Sequence, residues 1–356
     1  MPDYFNQTTI RTHLLSVVVD HLMKGGITCA YTHQLGCELV ALLSAYREEE
    51  RHLFPEVYVI AATEGDPLRI IAPGVTPLSI GKIEIDKDFE AGAREAARAI
   101  LKNCASLAID GWAIYIHRDQ DGFSYGLFYS SPQSYSVGAA AVLVNSSLPA
   151  VILRNSAENT VEIANSTGMR LEISLTTATP SNRSMSSQIM EFAQAACQDV
   201  PGDDREQASA YLNRLLTDFL RASHGALLAV APITASLESE HFSGGVVFDV
   251  PVPLVTLMLS AVKEQSATAE SMLRSHESLL RGMIMSDGIT VLGADGSMRA
   301  FRVLVNIGGE KADKGKIKAG GARTRAFDVL KRYLNEPFTA ILFRSQDGRT
   351  NLEIKT

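Results

Sequence analysis

The sequence has few of the features that mark secreted, membrane-spanning or nucleic-acid-coating proteins. Only four of its 356 residues are cysteines, too few for a disulfide scaffold, so we expect reduced thiols. No apolar run reaches the roughly 18–20 residues that cross a bilayer, and the first residues lack a basic leader and a cleavable apolar segment. These features predict a cytoplasmic protein without a membrane partner. The cysteines are Cys29, Cys37, Cys104 and Cys197.

Positive charge is also scarce. The chain has 33 Lys and Arg residues against 40 Asp and Glu residues, a formal net charge of −7. A surface of this charge does not favour nucleic acid, so we expect no nucleic-acid partner. The exception is the stretch of residues 298–332, which contains ten basic and only three acidic residues. This block is either a solvated face or a site for a compact polyanion such as a nucleoside triphosphate.

Composition and length predict an ordered protein of about two domains. Apolar residues make up 46% and charged residues 21% of the chain, close to ordinary globular usage. A small, polar segment at Thr177–Ser187 marks the division. We therefore predict a first domain over residues 1–180, a linker over 181–203, and a second domain over 204–356.

The first domain is predicted to be α+β, with a largely antiparallel sheet and flanking helices. Apolar spacing predicts helices at Thr9–Lys24, Gln34–Leu53 and Asp88–Ala105, and paired strands at Val57–Ala61 and Arg69–Ala72. Further strands are predicted at Trp112–His117, Phe123–Tyr129, Ala150–Arg154, Thr160–Ala164 and Arg170–Thr176.

The second domain is predicted to be α/β, because helices and strands alternate along it. The predicted helices are Arg205–Ala222, Leu254–Val262, Thr268–Met283 and Ala322–Leu334. The predicted strands are Ala226–Ala231, Ile289–Leu292, Met298–Val305, Thr339–Phe343 and Asn351–Ile354.

Two motifs in this domain are candidates for chemistry. Asp287-Gly288 follows a helix and opens a strand, so it is either a turn or a carboxylate at the edge of a sheet. Glycines before the helix that carries Arg323 and Arg325 leave backbone N–H groups for a phosphate. Because residues two apart lie ~200° apart on a helix, the two arginines cannot hold one phosphate from a regular helix surface, so at least Arg323 should belong to the loop or first turn. The alternative is a surface arginine pair after a flexible glycine hinge.

Other patterns favour structural interpretations. Asp295-Gly296 and Asp347-Gly348 each lie between strand-like runs and are typical of hairpin turns. Gly225 is typical of a residue that ends a helix. Cys29, His33 and Cys37 have the spacing of one helix face, but core thiols beside a surface histidine explain them better than a metal site.

The order and spacing of these motifs resemble the diadenylate cyclase domain, over about Asp204–Thr356. In that family a Gly-Ala-(Leu/Ile) strand borders the adenine pocket, an Asp-Gly-Ala motif binds metal, and a Gly-Thr-Arg-His-Arg motif grips the triphosphate. The matching residues are Gly225, Ala226 and Leu227 for the first motif, Asp287 and Gly288 for the second, and Gly321, Ala322, Arg323, Thr324 and Arg325 for the third.

The sequence departs from the family pattern at several of these positions. Ile289 stands where the family has alanine, Ala322 where it has threonine, and Thr324 where it has histidine. Residues 344–346 read Arg-Ser-Gln in place of a Ser-Glu-Glu run that helps to hold the metal, which leaves Asp347 as the second candidate ligand after Asp287.

The resemblance implies an enzyme that condenses two ATP molecules into cyclic di-AMP and pyrophosphate. It implies Mg²⁺ or Mn²⁺ at Asp287, a homo-oligomer with cyclase domains face to face, and regulation by an N-terminal sensor domain with its own ligand or partner. One alternative is a degenerate, non-catalytic protein that senses ATP or a cyclic dinucleotide. Another is an unrelated α/β enzyme that acts on a different phosphorylated compound.

Overall fold

The structure, a computed structural model, divides the protein into two compact units. It describes residues 15–48, 51–63, 65–85, 88–119, 122–131, 133–144, 146–157, 159–174, 183–237, 242–305, 321–346 and 348–355. The first unit is Met1–Pro132 with Gly138–Ser184, and the second is Gln133–Val137 with Met185–Thr356. Each contains a seven-stranded mixed sheet, so the predicted α/β class is confirmed. Within the described ranges no helix has the length and apolar character needed to cross a membrane.

In the first unit, helices cover both faces of the sheet. The strand order is β4-β6-β5-β3-β7-β8-β9, with β3 and β5 parallel and the other neighbours antiparallel. The elements are α1 (residues 15–24), α2 (Ala30–Leu43), β1 (Arg47–Glu48), β2 (Arg51–His52), β3 (Glu56–Ile60), α3 (Leu68–Ile71), β4 (Leu78–Glu84), α4 (Phe89–Cys104), β5 (Trp112–Arg118), β6 (Gly122–Tyr129), α5 (Ala139–Val144), β7 (Ala150–Ala157), β8 (Thr160–Asn165) and β9 (Arg170–Ser174).

Two predictions for this unit were wrong. The helix predicted to reach Leu53 ends at Leu43, and the short strands β1 and β2 follow it, paired antiparallel with Arg47 opposite His52. The segment predicted as a strand at Arg69–Ala72 is largely the short helix α3. Just before this helix, the Asp66 carboxylate accepts a hydrogen bond from the Leu68 backbone N–H at 3.1 Å.

In the second unit, the sheet has the order β11-β14-β13-β10-β15-β16, with β12 also paired to β14. Helices α6 to α9 pack on one face, and α10 packs on the other. The elements are α6 (Met185–Ala196), α7 (Gly202–Ala222), β10 (Ala226–Ala231), β11 (Phe242–Ser243), β12 (Val246–Val252), α8 (Leu254–Glu264), α9 (Ala267–Met285), β13 (Ile289–Gly293), β14 (Met298–Val305), α10 (Ala322–Leu330), β15 (Ala340–Arg344) and β16 (Thr350–Ile354).

The stretch predicted as a linker contains part of this core. Helix α6 lies inside residues 181–203, and its Ile189 and Phe192 are fully buried in the core of the second unit. Apolar residues at helical spacing, rather than the polar residues before them, decide where this unit begins. Strands β11 and β12 had no sequence prediction, and α10 ends at Leu330, before a short 3₁₀ turn at Lys331–Tyr333.

A short loop, Gln133–Val137, belongs to the second unit although the chain on either side of it belongs to the first. The guanidinium of Arg214 donates to the Ser134 carbonyl at 2.5 Å, and Arg274 donates to the Ser134 hydroxyl at 2.8 Å. The Glu270 carboxylate accepts from the Ser134 backbone N–H at 3.2 Å. Charged helix residues therefore satisfy both the backbone and the side chain of this serine.

Candidate functional site

The candidate site lies at one end of the second unit's sheet. Strand β10 runs parallel to β13, with Leu227 opposite Ile289, and antiparallel to β15, with Ala226 opposite Arg344. The residues before β10, before β13 and after β15 therefore meet at the same end. This pairing brings Gly225 beside the Asp287-Gly288 turn, although some 60 residues separate them in sequence.

The first turn of α10 reaches this end of the sheet. Gly321 is the N-cap residue, and the first intrahelical bond runs from the Arg325 N–H to the Gly321 carbonyl at 3.2 Å. Arg323 lies in that first turn, as the helix geometry required. It donates from Nη2 to Asp287 Oδ1 at 2.8 Å and from Nη1 to the His224 carbonyl at 3.3 Å. The two motifs singled out in the sequence are thus in direct contact.

The ion pair between Asp287 and Arg323 is open to solvent. The Asp287 side chain is 95% exposed and that of Arg323 is 35% exposed. Ion pairs in water contribute only about 0–1 kcal/mol, because screening and lost side-chain freedom offset the attraction. Either group can therefore exchange its partner for a ligand at little cost. The contact therefore places a carboxylate and a guanidinium side by side, and both side chains remain available to bind a ligand.

The start of α10 presents further hydrogen-bond donors. The N–H groups of Ala322, Arg323 and Thr324 precede the first intrahelical bond, as at any helix start, and they lie at the positive end of the helix dipole. The Arg325 side chain is exposed and has no ion-pair or hydrogen-bond partner in the described part of the chain. Among the residues that the structure describes, none has an atom within 4 Å of a β-carbon built on Gly321.

Two glycines give this end of the sheet its shape. Gly225 has φ +99 and Gly288 has φ +97, a region that L side chains rarely adopt. A β-carbon on Gly225 would lie 3.0 Å from the Arg344 carbonyl, and one on Gly288 would lie 2.8 Å from the Arg302 backbone. Neighbouring strands can approach the two turns this closely only because both residues lack a side chain.

Some of the predicted site residues do not present side chains here. Ala226 and Leu227 are both 3% exposed. Leu227 packs beneath α10 in the cluster that contains Phe327, and Ala226 packs on the opposite face. They support the site through the backbone and the core. Asp347 lies outside the described residues, and its neighbour Gln346 is exposed.

One carboxylate at this end of the sheet suits a divalent cation. Asp287 uses Oδ1 for Arg323 and is otherwise solvent-facing. Mg²⁺ is commonly held by one or two carboxylates together with substrate phosphates and water, so Asp287 fits that role. Over the described ranges, no three His, Cys, Asp or Glu side chains are grouped as a metal-binding cluster.

His33 and Cys37 each make contacts of a structural kind in the first unit. His33 Nε2 lies 2.7 Å from the Ile27 carbonyl, and Cys37 is buried in the core of the first unit. The interpretation as core thiols beside a histidine fits these contacts.

Thiol labelling tests this assignment. Burial raises the pKa of the Cys37 and Cys104 thiols to about 11 and that of Cys197 to about 12. Burial of Cys29 also acts to raise its pKa, but hydrogen-bonding groups of Thr32 and Tyr31 lower it below its usual value of 9.0. Because only about one thiol in a thousand ionises three units below its pKa, Ellman's reagent at pH 8 should label one thiol per native chain.

The control for this measurement is Cys29→Ser, which should show no rapid labelling until the chain is unfolded. The labelling rate of the parent protein should rise with pH, with a midpoint below 9.0. Rapid reaction of two or more thiols in the native protein would contradict the assignment.

Sequence reasoning missed two groups at this site. The His224 carbonyl, which accepts from Arg323, carries no sequence signal because every residue has one. Arg302 was counted only as part of a basic stretch, yet its backbone lies against Gly288. The β-bulge that places it there leaves no pattern in a single sequence.

Comparison of the chain with protein-family models, with curated proteins and with solved structures found no significant match.

Proposed function

We propose that the second unit binds ATP and that two copies condense two ATP molecules into cyclic di-AMP, releasing pyrophosphate. The observation that supports this proposal is the 2.8 Å contact between Arg323 and Asp287, at the start of α10. Three motifs distant in sequence meet there, and they supply a carboxylate, a guanidinium and free backbone N–H groups, which are the types of group that hold a metal ion and a triphosphate.

The arginines and the helix start would bind the triphosphate. Arg323 would leave Asp287 and donate to phosphate oxygens, and Arg325 would add a second guanidinium from its exposed position. The N–H groups before the first intrahelical bond would neutralise the charge of the leaving pyrophosphate. Guanidinium groups match phosphate geometry, and hydrogen bonds between charged groups are roughly twice as strong as neutral ones.

Asp287, released from Arg323, would hold Mg²⁺ or Mn²⁺, which when bound polarises the α-phosphate and acidifies the attacking hydroxyl. In each half-reaction a ribose 3′-oxygen forms a bond to the α-phosphorus of the other ATP. The bond between that phosphorus and the oxygen that bridges it to the β-phosphate breaks, and the hydroxyl proton goes to solvent. Two such steps close the ring and release two pyrophosphates.

The reaction needs more than one copy of the chain. One site holds one nucleotide, so both nucleotides meet only when two second units face each other. The first unit, with no chemical motif of its own, would act as a sensor that changes how often these faces meet. The proposed compartment is the cytoplasm, where buried, reduced thiols are ordinary.

A second function is favoured by the residues at the end of β15. Arg344 is 4% exposed, and its guanidinium contacts the Met185 sulfur and the Gly348 carbonyl. Neither it nor the exposed Gln346 supplies the carboxylate that the cyclase family has here. This favours a degenerate protein that binds ATP or a cyclic dinucleotide without turnover.

A product assay separates these functions. The purified full chain is incubated with ATP and Mn²⁺, and the products are separated by mass. Formation of cyclic di-AMP supports the proposal, whereas ATP binding without any product supports the non-catalytic alternative. If the chain shows neither ATP binding nor product formation, both proposed functions are contradicted. The remaining possibility is then an enzyme that acts on another phosphorylated compound.

Removal of the arginines tests the phosphate contacts. Arg323→Ala and Arg325→Ala should each weaken ATP binding about tenfold in calorimetry, the effect of losing one charged hydrogen bond. Lys263→Ala, which removes an exposed cation on α8, is the matched control and should leave the affinity unchanged. Equal affinities for all of these variants and the parent protein would contradict the proposed role of α10.

A further inference from the structure

Strand β14 contains a bulge directly beside the candidate site. Val303 pairs with Ile289 and Ala300 pairs with Val291, so Phe301 and Arg302 together face the single residue Thr290. A bulge of this kind bends a strand and changes the direction of its side chains, and bulges are frequent next to active sites. This one redirects the chain at Arg302.

Arg302 has a backbone conformation that its residue type disfavours. Its φ is +56, in the left-handed region that costs L residues with a β-carbon free energy. The other described non-glycine residues with positive φ lie in turns or at a helix end: Asp110, Asn159, Gln265 and Asn335. Only Arg302 adopts this conformation inside a strand. Strained residues of this kind persist where the surrounding structure holds them, and they concentrate at functional sites.

The strained backbone lies against the dipeptide that carries the candidate carboxylate. A β-carbon built on Gly288 would lie 2.8 Å from both the α-carbon and the carbonyl carbon of Arg302. The α-carbons of Gly288 and Arg302 are therefore no more than about 4.3 Å apart. An arginine side chain is longer than this separation, so the Arg302 guanidinium is within reach of a ligand held at Asp287.

Two arginines lie at the Asp287-Gly288 dipeptide. The Arg323 guanidinium is paired with Asp287, and the backbone of Arg302 lies against Gly288. The Arg302 side chain is exposed and forms no ion pair or hydrogen bond with any residue that the structure describes. A site with more cations than anions attracts a ligand with several negative charges.

We propose that Arg302 is a further phosphate-binding residue, which contacts the triphosphate from the side of β14 while Arg323 contacts it from α10. The bulge and the left-handed backbone serve to place this guanidinium beside Asp287. The inference rests on the proposed function, because it names a residue of the same site. It adds a specificity: Arg302 makes the site prefer a triphosphate over a monophosphate.

The substitution Arg302→Gly separates a binding role from a structural one. Glycine accepts the left-handed conformation, so the variant should unfold at the same temperature as the parent protein or a higher one. If Arg302 binds phosphate, the variant should bind ATP about tenfold more weakly, the effect of one lost charged hydrogen bond. Its affinity for AMP should change by much less, and Arg302→Lys should retain part of the ATP affinity.

The matched control is Gln265→Gly, which relieves a left-handed residue with φ +48 at the end of α8. The 19 residues of α9 place it about 28 Å from the turn at Asp287. This variant should bind ATP as the parent protein does. If Arg302 has only a structural role, Arg302→Gly should also bind ATP as tightly as the parent protein does. That result would overturn the inference.

Calorimetry is carried out on the full chain with ATP and, separately, with inorganic tripolyphosphate. If the parent protein binds tripolyphosphate but not ATP, the proposed function fails, and the inference is then tested with tripolyphosphate alone. If the parent protein binds both and Arg302→Gly binds both as tightly, only the inference fails. If the parent protein binds neither, both fail.

Discussion

The substitution Asp287→Asn should reduce cyclic di-AMP formation at least ~100-fold, the usual effect of removing one group that stabilises charge in a transition state. Asparagine keeps the shape of the side chain but lacks the charge that would hold a divalent cation. ATP binding should be retained or strengthened, because the Arg323 guanidinium loses its 2.8 Å partner and is then free for phosphate. The measurements are product separation by mass and calorimetry with ATP.

The chain contains a matched control for this experiment. Asp295-Gly296 is the same dipeptide at the opposite end of β13, and it forms the turn that leads into β14. The Asp295 carboxylate accepts from the Ser297 hydroxyl at 2.6 Å and from its N–H at 3.1 Å, as a turn residue does. Asp295→Asn should leave product formation unchanged. If Asp287→Asn also forms product at the parental rate, Asp287 does not hold the metal.

The substitution Glu162→Gln should destabilise the first unit by about 3 kcal/mol, in the range measured when one partner of a buried ion pair is removed. Glu162 lies on β8 and is fully buried. Its carboxylate accepts from Arg154 at 2.9 Å and from Arg170 at 3.3 Å. Burial alone would lower the pKa of Arg154, but Glu162 and Glu56 raise it above its usual value. Without this carboxylate, two partly buried guanidinium groups, those of Arg154 and Arg170, lose their common counter-charge.

The protein carries its own probe for this measurement. Its single tryptophan, Trp112, lies on β5 of the first unit, so urea unfolding followed by tryptophan fluorescence reports on that unit. The control is Asp20→Asn, which breaks an exposed ion pair with Lys24 on α1 and should cost less than about 1 kcal/mol. Equal free energies of unfolding for both variants would mean that the buried network contributes no net stability.

Much of the secondary structure could be predicted because its signals are local. Helix α4 begins where the Asp88 carboxylate accepts from the Glu90 and Ala91 N–H groups, and small apolar residues line its buried side. The strands predicted at Trp112–His117 and Phe123–Tyr129 formed as β5 and β6, which pair antiparallel. The failures occurred where local signals compete. Residues near Arg47 have ample helix propensity, but strand pairing with His52 overrides it.

The candidate site was predictable only in its parts. The glycines and arginines before and in α10 indicated phosphate binding, a metal at Asp287 was implied only by the family resemblance, and the spacing in α10 placed Arg323 in the first turn. The buried positions of Ala226 and Leu227 and the involvement of the His224 carbonyl were not predictable. They depend on which strands become neighbours, and a single sequence does not contain that choice.

By itself, therefore, the sequence determined the mixed α/β class, the position of most helices and strands, and the chemical character of the candidate residues. These follow from periodicity, capping and turn chemistry, which act over a few residues. The tertiary structure alone decided that Asp287 meets Arg323 and that Arg302 lies against Gly288. Both depend on the parallel pairing of β10 with β13 and on the bulge in β14, because contacts between distant segments are set by how the strands align across the whole sheet.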